Sequence, residues 1–140
     1  MRATTAVAPK PDLRILIADD NYDSRRWLTR VLRQTVEAEL HEARDGADAV
    51  REALRLRPQL LFIDIEMPGL NGFDALREIR AGGFAPFVVV VSAAGSLARV
   101  QEALALGIGA FVAKPYSPQR IADVIGIFAS GGNASRAPGR

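Results

Sequence analysis

Cysteine is absent from this 140-residue chain. Disulfides, zinc–thiolate centres and thiol nucleophiles are therefore excluded, and the composition suits a reducing cytoplasm. Long apolar runs are missing too. None approaches the roughly 20 residues of a membrane span, and Met1 to Pro11 lacks the apolar stretch of a secretory signal. No membrane partner is expected, and the expected location is the cytoplasm. Histidine occurs once, as His41, in a short alternating segment with the pattern of a strand. A phosphodonor module needs its histidine on an exposed helix, so His41 is expected to be structural.

Acidic residues are missing from both ends. The tails hold only Arg2, Lys10, Arg136 and Arg140, and the whole chain carries a net charge of +2. Removing those four from the 18 basic residues leaves 14 against 16 acids between Asp12 and Ser130. The body is mildly acidic, and scattered tail charges make a poor surface for a phosphate backbone. Nucleic acid is not an expected partner.

What the chain has is aliphatic material for one core: 49% hydrophobic residues against 24% charged. Its length fits one domain. Residues 1–12 form an expected flexible leader and residues 130–140 an expected disordered tail, both rich in small residues and proline or glycine. Between them, strand-like and helix-like segments alternate. Leu13 to Ala18, Glu39 to Ala43, Leu60 to Ile63, Phe87 to Val91 and Ala110 to Ala113 read as strands. Leu60 to Ile63 is the continuous apolar run of a parallel strand covered on both sides. The first helix is expected at Ser24 to Val36, with Leu28, Val31, Leu32 and Thr35 on one face. The second spans Ala47 to Leu54 and stops before Pro58. Phe73, Leu76 and Ile79 mark the third, closed by Gly82-Gly83. Leu97, Val100, Ala103 and Leu104 mark the fourth, ended by Gly107. The last starts near Pro118, with Ile121, Val124, Ile125 and Phe128 on its buried face. Strict alternation of this kind predicts an α/β fold: a doubly wound, five-stranded parallel sheet with helices on both faces.

In such sheets the site lies beyond the carboxyl ends of the strands. Asp19 and Asp20 follow the first strand there, Asp64 ends the third, Ser92 follows the fourth and Lys114 follows the fifth. Alone, each has a plain explanation as a turn, a cap or a surface loop. Together they make a coherent chemistry. Close carboxylates repel each other and call for a hard cation such as magnesium. Lys114 offers a compact charge, and apart from Lys10 it is the only lysine in an arginine-rich chain. Ser92 donates one hydrogen bond to an anion. A nucleophilic carboxylate, a divalent cation, a lysine and a hydroxyl are the parts needed to move a phosphoryl group onto aspartate.

These motifs resemble the receiver domain of bacterial response regulators. The resemblance runs through residues 13 to 128: Ile15-Leu-Ile-Ala-Asp-Asp-Asn21, Leu61-Phe-Ile-Asp-Ile-Glu-Met-Pro-Gly-Leu-Asn-Gly72, Val91-Ser-Ala93 and Phe111-Val-Ala-Lys-Pro115. It implies a receiver domain at 13–129 with flavodoxin-like strand order 2-1-3-4-5. It also implies that Asp64 accepts a phosphoryl group from a histidine kinase or histidine phosphotransfer protein. Asp20 and Asp64 would bind Mg2+ directly, Asp19 through water, and the backbone carbonyl of Glu66 would complete the protein's share; Mn2+ would substitute. Ser92 and Lys114 would hold the phosphoryl oxygens, and Phe111 would follow Ser92 inward as a switch. Arg99, Gln101 and Tyr116 are expected on the surface that changes.

No output module accompanies the receiver-like segment, so the chain is expected to act through a downstream protein whose identity the sequence does not name. Gly107-Ile-Gly-Ala-Phe111 lacks the acidic pair that often precedes the aromatic in symmetric dimers, which leaves a monomer or weak dimer. Ala94 and Gly95 leave the loop after Ser92 bare, with no group to hold an attacking water. Two alternatives stand beside this reading: a receiver cut from a hybrid histidine kinase, and an aspartyl-nucleophile magnesium phosphatase using Glu66 as its second acid. The receiver reading expects a phosphoacceptor that assists its own slow reactions rather than a turnover enzyme.

Overall fold

The computed structural model describes residues 12–93 and 97–131. Ala94 and Gly95, nearly all of the expected leader and most of the expected tail lie outside the described residues. Strands and helices alternate without exception: β1 (Arg14–Ala18), α1 (Tyr22–Thr35), β2 (Glu39–Ala43), α2 (Gly46–Leu56), β3 (Leu60–Asp64), α3 (Gly72–Ala81), β4 (Phe87–Ser92), α4 (Leu97–Ala105), β5 (Ala110–Ala113) and α5 (Pro118–Ala129). All pairings are parallel, and the sheet order is β2-β1-β3-β4-β5. The expected doubly wound arrangement is the one adopted.

The order dictates where the helices go. The chain steps from β1 outward to β2, then reverses across β1 to β3 and continues to β5. Right-handed crossovers put helices of opposite travel on opposite faces. Accordingly α1 and α5 share one face, where Leu28, Val31, Leu32, Ile121, Val124 and Ile125 meet Ile15, Ile17, Phe62, Val89 and Val91. On the other face, Ala49, Ala53, Phe73, Leu76, Ile79 and Ala103 meet Leu16, Ala18, Leu61, Ile63, Val88 and Val90. Period-two alternation along each strand sorts these sets, and because both faces are covered β3 and β4 contain no polar residue before their carboxyl ends.

Element ends differ from the sequence reading where capping decides them. α1 begins two residues early because the Asn21 side chain accepts the Ser24 N–H. α2 runs on to Leu56 and closes on Arg57 in the left-handed region at φ 49°. β3 and β4 each extend by one residue, so Asp64 and Ser92 are held by the ladder rather than by a loop. α4 departs most. Of the four residues expected to form its buried face, only Ala103 is buried, while Leu97 is 72% and Leu104 63% exposed. The helix rests on the sheet through its small alanine, which leaves the leucines on either side in solvent. Thr35 of α1 is likewise only half-buried.

Gly72 shows how tightly the acceptor strand is enclosed. It opens α3, and its N–H donates to the Ile65 carbonyl at 3.1 Å. A Cβ at this position would lie 2.4 Å from the Asp64 carbonyl oxygen and 2.9 Å from the Ile65 Cα. Both obstacles are backbone, so no side chain can turn aside to make room. Gly72→Ala is expected to lower unfolding free energy by about 1–3 kcal/mol, the usual range for overpacking. Urea denaturation followed by circular dichroism measures it; an unchanged midpoint would show that β3 and α3 can separate.

Candidate functional site

Four strand ends deliver the predicted residues to one edge of the sheet. Asp64 is the last residue of β3, paired with Val91 of β4, and the Ile65 N–H donates to the Val91 carbonyl at 3.1 Å. Asp19 continues β1, its N–H donating to the Ala43 carbonyl at 3.1 Å. Lys114 continues β5, its N–H donating to the Ser92 carbonyl at 2.9 Å. These main-chain bonds aim the side chains. Lys114 Nζ lies 2.7 Å from Asp64 Oδ2 and 3.2 Å from Asp19 Oδ2. The second oxygens are taken by backbone donors: Asp64 Oδ1 accepts the Glu66 N–H at 3.0 Å and Asp19 Oδ1 accepts the Asn21 N–H at 2.9 Å. Asp19, Asp20 and Asp64 each place a carboxylate oxygen within 4.8 Å of the others. Asp19 and Asp64 are buried, at 7% and 5% exposure, while Asp20 faces solvent.

Burial sets the electrostatics. It pushes Asp64 up to about 6, against the hydrogen bond and charge of Lys114 and the Glu66 N–H; the Asp19 charge adds to the rise. Burial also opposes the Lys114 charge, but Asp64 and Asp19 outweigh it and hold Lys114 above the usual lysine value. The cation is therefore fixed at neutral pH, and the ionisation of Asp64 is the adjustable quantity.

Around this centre the structure adds contacts that the sequence does not reveal. Ser92 Oγ donates to the Glu66 carboxylate, at 2.9 and 3.0 Å from its two oxygens. Arg99 of α4 brings Nη2 to 4.0 Å from Glu66 Oε2. Phe111 is half-buried against the α2–α4 face. Tyr116 faces α1 as well as α5. Expected on a changing surface of the fourth helix, fifth strand and fifth helix, it packs with the α1–α5 core, its ring centroid 5.2 Å from that of Trp27. The two rings, with Ser24, Ala93, Lys114 and Pro115, line an open groove of about 560 Å³ beside the site. The Lys114–Pro115 peptide there is cis. Burial pushes the Tyr116 hydroxyl up to about 12. His41 lies in β2, with Nε2 at 3.0 Å from Glu39 Oε1, away from the acidic edge.

Residues 15–126 match the family described as the response regulator receiver domain. The chain is 34% identical over 112 residues to the chemotaxis protein CheY of Thermotoga maritima, spanning 80% of this chain and 93% of that one.

The chain belongs to the response-regulator receiver family.

Other similarities agree with this. A protein-glutamate methylesterase/protein-glutamine glutaminase of Symbiobacterium thermophilum is 42% identical over 106 residues, 74% of this chain but only 29% of that protein. The response regulator domain of Thermotoga maritima CheB superposes with a TM-score of 0.74 at 29% identity, covering 86% of this chain and 96% of that domain. Receiver domains bind Mg2+ in an acidic pocket, and the donor set here suits such an ion: oxygen ligands only, one carboxylate open to solvent, and a single lysine against the cluster Asp19, Asp20 and Asp64.

The raised Asp64 value in this receiver has a measurable consequence. An unfolded aspartate ionises near 3.8, whereas folded Asp64 does so near 6. Below the lower value both states are protonated and the folded state keeps its full advantage. As pH rises through this window only the unfolded state gains from ionising, so the Asp64 contribution is lost by about pH 6. Asp64→Asn removes the loss but also deprives Lys114 of a charged partner. The expected net gain in the ion-free protein is about 1 kcal/mol at pH 7, falling to none or a small loss at pH 4. Denaturant titrations of both proteins in chelator across this range provide the measurement. A difference independent of pH would mean that Asp64 ionises as freely folded as unfolded.

Proposed function

We propose that this receiver takes a phosphoryl group onto Asp64 from the phosphohistidine of a histidine kinase or histidine phosphotransfer protein, in the cytoplasm, and so alters a surface that another protein reads. The observation that carries this reading is the short contact of Lys114 Nζ with Asp64 Oδ2, 2.7 Å, at a buried strand end inside an acidic cluster. Transfer forms a bond from an Asp64 carboxylate oxygen to phosphorus. The phosphorus–nitrogen bond breaks, and its electron pair leaves with the imidazole. There is little covalent work for the protein beyond positioning and neutralisation.

Each residue has a part in that. The Glu66 N–H and Lys114 orient the Asp64 carboxylate. Asp19, Asp20, Asp64 and the Glu66 backbone carbonyl would hold Mg2+, with Mn2+ able to substitute. Bound there, the ion supplies positive charge to the incoming phosphoryl oxygens. Lys114 is close enough to Asp64 to follow one of those oxygens once the carboxylate is esterified. Ser92 must exchange the Glu66 carboxylate for a phosphoryl oxygen, and its inward turn would free the space that Phe111 takes. Both Glu66 carboxylate oxygens lie within hydrogen-bond distance of the Ser92 hydroxyl, whereas a phosphatase would use a residue at that spacing as a proton donor toward the leaving group. This favours the receiver reading over the phosphatase one.

Asp64→Asn is expected to abolish acid-labile labelling by acetyl phosphate with Mg2+, and a chelator to have nearly the same effect on the unaltered chain. Full labelling of the variant would remove Asp64 from the proposal.

The switch has its own expected outcome. Phosphorylation places strong acceptor oxygens beside Ser92, and a few kcal/mol of differential stabilisation inverts a two-state balance. With a beryllofluoride mimic bound, amide exchange over residues 97–106 should change by several-fold. Identical exchange with and without the mimic would exclude a switch through α4.

A further inference from the structure

We propose that Arg25 is a positioning residue for the acidic loop, its buried guanidinium holding the Asp19 backbone so that Asp19 and Asp20 present their carboxylates beside Asp64. The inference rests on the reading that this cluster takes a divalent cation.

Arg25 lies in the first turn of α1, fixed there by its own N–H donating to the Asn21 carbonyl at 3.0 Å. It is only 7% exposed, an unusual place for an arginine. Its Nη1 donates to the Asp19 carbonyl at 2.7 Å, and its Nε donates to Glu42 Oε1 at 2.7 Å. The Tyr22 ring covers it, with the centroid 5.4 Å from Cζ. Burying this charge is expensive, and a long apolar side chain would cover the sheet at lower cost. The planar fork does what an apolar side chain cannot: it ties two separate strand ends, Asp19 after β1 and Glu42 within β2, to the helix that follows.

The choice of acceptor matters. A cation placed on the carboxylates themselves, as Lys114 is, uses up oxygens that another ion would need. Arg25 instead binds the main-chain oxygen of Asp19. It adds a positive charge on the protein side of the cluster and takes up none of the carboxylate oxygens of Asp19 and Asp20. The Asp19 peptide is thus held from both ends, since its N–H already donates to the Ala43 carbonyl at 3.1 Å. Glu42 supports the arrangement and also binds Arg26. Burial works against its charge, but the two guanidinium groups outweigh that and keep it below the usual carboxylate range.

A purely structural arginine would cost stability alone when replaced; a positioning one would also weaken the binding of the ion. Calorimetric titration of the full chain with magnesium chloride separates these. Arg25→Met is expected to weaken magnesium binding about tenfold, equivalent to about 1.4 kcal/mol. Arg25→Lys, with one ammonium for two acceptors, should recover part of it. Val31→Ala loosens the same helix away from the loop and should bind as the unaltered chain does. Glu42→Gln, which keeps the contact to Asp19, should stay within about twofold. If Arg25→Met does not fold, Arg25→Lys binding more weakly than Glu42→Gln carries the same conclusion. Equal affinity in the Arg25 variants and Val31→Ala would overturn the role of Arg25. An unaltered chain that binds no magnesium would instead sink the cation reading, and this inference with it.

Discussion

Like-charge crowding is the constraint around which the rest of the molecule is arranged. Asp19, Asp20 and Asp64 converge within a few ångströms, two of them out of water. Left alone they would force β1 and β3 apart at the edge where the strands end. The structure answers with one lysine reaching Asp64 and Asp19, with backbone N–H groups from Glu66 and Asn21 on the remaining oxygens, and with Arg25 on the Asp19 carbonyl. None of these cancels the charge fully, and burial still lifts Asp64 to about 6. A receiver needs that incompleteness. A cluster already neutralised by protein groups would have no reason to accept an ion or a phosphoryl group.

Much of this was legible in the sequence, because it depends on patterns with a fixed period. Continuous apolar runs such as Leu60 to Ile63 belong to buried parallel strands, and the residue after each run falls at the carboxyl edge by construction. Asp19, Asp64, Ser92 and Lys114 could be brought together by counting alone. What could not be read depended on side-chain direction or on pairs distant in sequence. Tyr116 follows the lysine closely, yet its ring lies against that of Trp27 of α1, a partner far away in sequence. In sequence, Arg25 is one of several charged residues in the segment of an amphipathic helix. Only the partners, Asp19 six residues earlier and Glu42 seventeen later, make it part of the site. The leucines of α4 have helical spacing, but spacing does not reveal that the helix sits on a small alanine.

Glu66 occupies the position where these threads cross. Its N–H orients Asp64, its carboxylate engages Ser92, and Arg99 of α4 stands close by. Charge added at Asp64 would act on all three contacts at once. α4 rests on the sheet through one buried alanine and exposes Leu97 and Leu104, so little packing opposes a shift in response. Across the sheet, α1 and α5 interlock through leucine, isoleucine and valine. Within its own face α4 is the loosely seated helix beside the buried Phe73, Leu76 and Ile79 of α3, and it lies on the side where Ser92 and Glu66 meet.

Trp27 is the only tryptophan in the chain, and its ring is tilted 56° to that of Tyr116, two residues beyond Lys114. Its emission therefore comes from one ring in one environment, with no other indole to dilute it. That ring borders the groove shared with Lys114, Pro115 and Ala93, so its quantum yield depends on how the turn after β5 is set. The molecule thus carries an intrinsic optical label beside its acidic edge, and changes there can be followed by light without attaching a dye.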